Sequence, residues 1–231
     1  MPALRVHHSV SYASVLLTLG CQPHEQTQHG RAFLAATGSI PGTQPVELTL
    51  LAYPDSPAAK ALQEHAPGDI LIASGEVVLD EDNNAPIITA AVICDGHQDQ
   101  YLNEVVVVGN VGSEARVAES GKSAKRSIAV NRYILNPSTE ERVEKTDWYG
   151  VRCFGFNKEK LERISTGSLV LVAGSFNQLT NADGDQFCEI KARNVRILKN
   201  RQVDPGAGTT AAGYDQATFN GSPDDINTDW T

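Results

Sequence analysis

A nine-residue stretch occurs twice in this chain. Pro67-Gly68-Asp69-Ile70-Leu71-Ile72-Ala73-Ser74-Gly75 lies over Thr166-Gly167-Ser168-Leu169-Val170-Leu171-Val172-Ala173-Gly174 at one fixed offset. Glycines match near both ends, and apolar residues fill the space between. A period near a hundred residues means a duplicated domain, because solenoid repeats are far shorter. At 231 residues the chain has room for two domains of about a hundred residues each.

The pattern around the repeat predicts the same elements in each half. In the first, an apolar run at 14–19 reads as a strand and the polar 21–30 as a turn. Strands follow at 31–37 and 46–53, the latter alternating Val46, Leu48, Leu50, Ala52 against Glu47, Thr49, Leu51, Tyr53. Ser56 as N-cap and Pro57 at the first helical position open a short helix that Gly68 follows. Strands at 70–78 and 86–93, joined by a turn at 80–84, complete the half. The second half repeats this with strands at 101–111, 125–135 and 143–154, a loop at 112–122, a short helix at 158–164, and strands at 169–179 and 187–198. Three strands, a helix and two strands is the order of the OB-fold, a five-stranded Greek-key barrel. The expected fold class is all-β with short helices: two tandem OB-fold barrels plus a disordered acidic C-terminal tail. The expected domains are 1–99, 100–202 and a linker with acidic tip at 203–231.

Charge separates the same segments. Residues 1–99 hold 3 Lys+Arg against 11 Asp+Glu, residues 100–202 hold 16 against 12, and residues 203–231 hold none against 5. A net charge of −9 therefore hides a mildly basic middle, and a polyanion must be considered segment by segment.

Within that middle stands Thr146-Asp147-Trp148-Tyr149-Gly150-Val151-Arg152-Cys153-Phe154-Gly155. As a strand it puts Trp148, Gly150, Arg152 and Phe154 on one face and Tyr149, Val151 and Cys153 on the other. The second set can pack a core. The first, two aromatics bracketing an arginine, suits bases stacked on rings beside a guanidinium that meets phosphate. The alternative from this strand alone is a protein contact.

The second half resembles the bacterial-type single-stranded DNA-binding protein family. The matching residues are Asn103-Glu104-Val105, Val108-Gly109-Asn110-Val111-Gly112, Gly121-Lys122, Ser127-Ile128-Ala129-Val130-Asn131-Arg132, Thr146-Asp147-Trp148, Phe154-Gly155 and Gly167 through Gly174. The resemblance implies stacking on Trp148 and Phe154. Two departures from the family imply weaker binding. Ile134 stands where an aromatic is common, beside Tyr133, and Asn177-Gln178-Leu179-Thr180-Asn181 replaces a basic hairpin bearing Trp. The expected contact set is Trp148, Phe154, Arg152, Arg132, Tyr133, Lys122, Lys125 and Arg126, with Phe176 contributing.

The first half reads as a degenerate, acidic copy. Aligning third strands puts Tyr53 over Phe154, Leu51 over Arg152 and Glu47 over Trp148. It is expected to be structural, completing an assembly. The family typically works with four OB domains, which implies a homodimer of this chain, with a homotetramer as the alternative. The tail residues Asp224, Asp225, Ile226, Asp229 and Trp230 resemble the family's acidic tip, which docks replication and repair proteins; here the aromatic is penultimate.

Other constellations carry less. Cys21-Gln22-Pro23-His24 and Cys94-Asp95-Gly96-His97 share a C-x2-H spacing that two pairs could close on zinc, but buried thiols and exposed histidines are the simpler reading, and no metal or cofactor is expected. Walker A, G-x-S-x-G and HExxH are absent from the sequence, so the expectation is a protein that is not an enzyme. No apolar run approaches the ~20 residues of a membrane span, and the start has no stretch long enough for a secretory signal, which together with four cysteines lacking a CxxC pair argue for the cytoplasm; the family resemblance implies association with the nucleoid. The expected function is sequence-nonspecific binding of single-stranded DNA, protecting and organising the strand in replication, recombination and repair, with RNA, which offers the same base faces, as a further candidate strand. The alternative is an interaction adaptor of the replication or primosome machinery with weak or no DNA binding.

Overall fold

The computed structural model describes residues 9–28, 30–80, 83–135, 142–180, 184 and 186–201. The expected tail, with Asp224, Asp225, Ile226, Asp229 and Trp230, lies outside these, as do 136–139 and 181–183 of two expected turns. The described elements are β1 (Val10–Leu19), β2 (His24–Gln28), β3 (Arg31–Ile40), β4 (Val46–Ala52), α1 (Pro57–Gln63), β5 (Ile70–Leu79) and β6 (Pro86–Asp95), then β7 (Asn103–Val111), β8 (Arg116–Val117), β9 (Ser123–Leu135), β10 (Arg142–Phe154), α2 (Gly155–Arg163), β11 (Leu169–Thr180) and β12 (Gln186–Lys199).

Two barrels close. In the first the strands run β1-β3-β4-β6-β5 and back to β1; in the second β7-β9-β10-β12-β11 and back to β7. Each has one parallel pair, β4 with β6 and β10 with β12, joined by a long crossover that includes the helix and the fourth strand. The expected barrels and helices are thus present. Two short strands were not expected. The stretch read as a turn, 21–30, contains β2, an antiparallel extension of β3, and the expected loop at 112–122 contains β8 on the edge of β9.

The repeated glycines do the same job twice. Gly75 and Gly174 each sit at a register shift, and a Cβ on either would overlap the carbonyl oxygen of Thr89 or Lys191 across the ladder. Only glycine lets the two backbones approach so closely. Gly68 and Gly167 both take positive φ, 97° and 85°, and donate to the carbonyls of Leu19 and Val111 over 2.8 and 2.6 Å. Ser56 caps α1 as expected, accepting from the Ala59 amide at 3.1 Å.

The barrels join edge to edge. β1 pairs antiparallel with β7 from Val10↔Val108 to Val15↔Asn103. Ala13 and Val105, which hold equivalent places six residues before Leu19 and Val111, face each other in this register. The two copies are therefore related by an approximate two-fold axis through that pair. Across the joint, the buried Tyr149 hydroxyl donates to the Val77 carbonyl at 3.0 Å, an oxygen that also accepts from Ser11 Oγ. Burial pushes the Tyr149 hydroxyl pKa well up. A continuous set of buried side chains, Val15, Leu17, Leu50, Ile88, Ile128 and Ile190 among them, fills both barrels.

Candidate nucleic-acid interface

β10 sorts its side chains as its alternation requires. Tyr149, Val151 and Cys153 are buried in the second barrel, where burial pushes the Cys153 thiol up to about 12. Trp148, Gly150, Arg152 and Phe154 take the outer face. The β9 register sets Ala129 opposite Trp148, Ser127 opposite Gly150, Lys125 opposite Arg152 and Ser123 opposite Phe154. On the other flank Arg152 faces Lys191 of β12. Ile190 points to the core, so Glu189 and Lys191 share the outer face.

Trp148 is half-buried because its indole lies on the backbone of Gly112. A Cβ at Gly112 would overlap ring atom Cζ3 and stand 2.8 Å from Cη2. The Gly112 amide is itself held, donating to the Ser127 carbonyl at 2.9 Å. The glycine that follows the first strand thus makes room for the ring against the barrel, and part of the indole remains exposed. Phe154 is exposed at the end of β10, and Lys191 Nζ lies 5.5 Å from its ring centroid.

Between the rings lies an ion cluster. Glu189 is only 1 % exposed; its Oε1 accepts from Arg152 Nε at 2.6 Å and its Oε2 lies 3.7 Å from Lys125 Nζ. Arg152 also reaches Ser123 Oγ at 3.4 Å. Lys125 Nζ stands 4.9 Å over the Phe187 ring. Burial lowers the Lys125 pKa, against the pull of Glu189. Aromatic rings and cations therefore alternate across three strands.

The remaining expected residues divide. Lys122 is exposed just before β9. Tyr133 is exposed and shares the parity of Ala129, so it lies on the Trp148 face, with Glu144 opposite. Arg132 has the other parity. It pairs with Asp147 on the opposite face of the β9–β10 hairpin, Nε to Oδ2 at 2.7 Å, and burial of Asp147 raises that carboxyl's pKa. Two expected contact residues are not on the surface at all. Arg126 is 2 % exposed and donates to the Ile164 carbonyl, with Glu114 at 3.4 Å. Phe176 is buried in the core, and its amide and carbonyl bond the Asn103 side chain at 2.9 and 3.0 Å. Alternation explains both. Arg126 has the parity of core residues Ala124 and Ile128, and Phe176 that of Val170 and Val172. Phe187, Glu189 and Lys191 were missed, though their parity against Ile190 and Ala192 marks them as outward-facing.

The first barrel answers differently on the same face. At the positions of Lys125, Arg152 and Glu189 it holds Ala35, Leu51 and Ile87, which with Phe33 form a small apolar cluster. Tyr53, in the place of Phe154, packs on Phe33 with ring centroids 5.1 Å apart. A cavity of about 260 Å³ opens here against β2, and among the described residues its walls, His24, Gln26, Gln28, Thr49 and Asp80 included, hold no Lys or Arg. Among the described residues no three His, Cys, Asp or Glu side chains gather as metal ligands, so Cys21, His24, Cys94 and His97 do not converge. No described helix is long and apolar enough to cross a membrane.

The profile of the Single-strand binding protein family matches residues 102–198. The fold is similar to the crystal structure of the wild-type single-stranded DNA binding protein from Thermus aquaticus, with a TM-score of 0.59 at 15 % identity, covering 86 % of this chain and 97 % of that one. A deletion mutant of that protein gives 0.55 at 18 % identity, covering 86 % and 98 %. The likeness is one of fold, and its extent takes in both barrels. The family match runs from the start of β7 into the end of β12, the whole span that carries the aromatic and cationic face. Over residues 102–198, then, this chain is similar to the single-strand binding protein family.

Proposed function

We propose that this chain binds single-stranded DNA without reading its sequence, on the outer face of the second barrel. The observation that carries the reading is Trp148, seated on Gly112, sharing one face with exposed Phe154 and with Arg152 between them. Bases stack on Trp148 and Phe154, with Tyr133 and Phe187 extending the path. Lys122, Lys125, Arg152 and Lys191 meet phosphates, and affinity falls with salt as counterions are released. Arg126 and Phe176 have no part, being buried; Arg132 acts by bracing the hairpin through Asp147. The role is non-enzymatic, in keeping with a family of binding proteins. It protects and organises exposed strands in replication, recombination and repair, in the cytoplasm at the nucleoid.

The first barrel is structural in this reading, its equivalent face closed by Phe33, Leu51 and Ile87 and its charge acidic. Two chains, supplying four barrels, form a homodimer; a tetramer is the alternative. Exposed Val10, Tyr12 and Val92 on and near the joined central strands favour such a contact. The acidic tail docks replication and repair proteins. The adaptor reading draws on Glu189, which partly neutralises the cations of the face. Fluorescence anisotropy of labelled oligo-dT decides between them. Salt-sensitive binding that survives duplex competitor and is lost in a Trp148→Ala/Phe154→Ala variant supports DNA binding. No binding by the folded wild-type chain gives the adaptor. Sedimentation of the free protein as a monomer would remove the dimer.

A further inference from the structure

The cluster of Glu189, Arg152 and Lys125 is not required by the fold. The same three positions of the first barrel hold Ile87, Leu51 and Ala35, and that barrel closes with the same strand order and the same bulge. Burying a carboxylate costs stability that hydrocarbons of similar volume do not demand. Yet the second barrel keeps Glu189 almost wholly covered in the middle of the aromatic face, beneath two cations that are 16 % and 21 % exposed. The cations stand between the carboxylate and the outside.

We propose that Glu189 is a built-in counter-anion that sets the strength of strand binding, holding Arg152 and Lys125 in place while opposing the phosphates they attract. This deepens the proposed function and rests on it. In the free protein Glu189 occupies the Arg152 Nε donor and draws the Lys125 ammonium inward. A phosphate arriving over the two cations meets a cluster of net charge +1. Its own charge is repelled by the carboxylate through a poorly screening interior. The gain is a strand held firmly enough to cover yet readily released, with the guanidinium already oriented.

The test is Glu189→Gln in the full chain, titrated with oligo-dT at several salt concentrations beside the wild type. Glutamine keeps the shape and an oxygen for Arg152 Nε but removes the charge. Affinity is expected to rise roughly tenfold at low salt, and the salt slope to steepen by about 0.7, one added phosphate neutralised on a single strand. Unchanged or weaker binding with an unchanged slope would overturn the inference, as would a variant that no longer folds. Failure of the wild type to bind oligo-dT would instead remove the proposed function beneath it. A second variant, Lys125→Ala/Arg152→Leu/Glu189→Ile, installs the first barrel's residues. It is expected to fold with an undiminished melting temperature and to lose most of its affinity; a chain that unfolds would return the cluster to the fold.

Discussion

Gly112→Ala places a single methyl group under the ring that the proposed site depends on. Gly112 is not in the left-handed region, so alanine can adopt its backbone without strain. The new Cβ would overlap Trp148 Cζ3 and lie 2.8 Å from Cη2 and 3.2 Å from Cε3. Carbon atoms in contact sit ~3.5–4.0 Å apart, so the indole must move by about 1.5–2 Å or swing aside. Overpacking of this kind costs about 1–3 kcal/mol of stability. A displaced ring also forfeits its base, about 1–3 kcal/mol per stacked base, or roughly 5–150-fold in affinity. The assay is a double-mutant cycle on oligo-dT affinity with Gly112→Ala, Trp148→Ala and both. If Gly112 acts only through the ring, the double variant binds no worse than Trp148→Ala, because the methyl has nothing left to push. Wild-type affinity in Gly112→Ala, or losses that simply add, would refute the seating of Trp148 described above.

Other residues separate fold from site. Arg126→Leu, which leaves the Ile164 carbonyl without its buried donor, is expected to lower stability by about 1–3 kcal/mol in urea unfolding, while the folded protein keeps its DNA affinity within about twofold. Tyr53→Ala opens the Phe33 cluster and lowers the melting temperature, with no change in oligo-dT binding; a clear loss of binding would give the first barrel a share in the site. Asp147 carries a pH signature. Its folded pKa is raised by burial, so the native state holds the proton longer than the unfolded chain, and this stability is lost as pH rises from the ordinary carboxylate range through the folded value. Asp147→Asn removes that contribution, and urea midpoints measured from about pH 3.5 to 6 should drop less with rising pH in the variant than in the wild type.

Much of this was legible because strands sort side chains by parity and duplicated domains repeat their glycines. The spacing of Gly68 and Gly75 against Gly167 and Gly174 marks corresponding places in the two halves, and the structure puts a turn and a bulge there in both barrels. The alternation of β10 placed Trp148, Arg152 and Phe154 together before any coordinates. The departures come where parity decides. Arg126 and Arg132 stand near Lys125 in sequence, but their side chains leave the opposite face of β9, and Phe176 lies on the face of β11 that Val170, Val172 and Gly174 turn inward. What the sequence could not show is tertiary. That β1 would pair with β7, that Tyr149 would reach across to Val77, and that Glu189 would lie under Arg152 depend on strands brought together from distant parts of the chain.

The central claim is that a base stacks on Trp148. The chain has two tryptophans, so Trp230→Phe leaves Trp148 as the sole indole. Its fluorescence on titration with oligo-dT, at low and moderate salt, tests the claim most directly. Strong quenching that weakens with added salt is the result this account predicts. An unquenched indole in a protein that binds the strand by a second method would put the DNA elsewhere, and the account would fail.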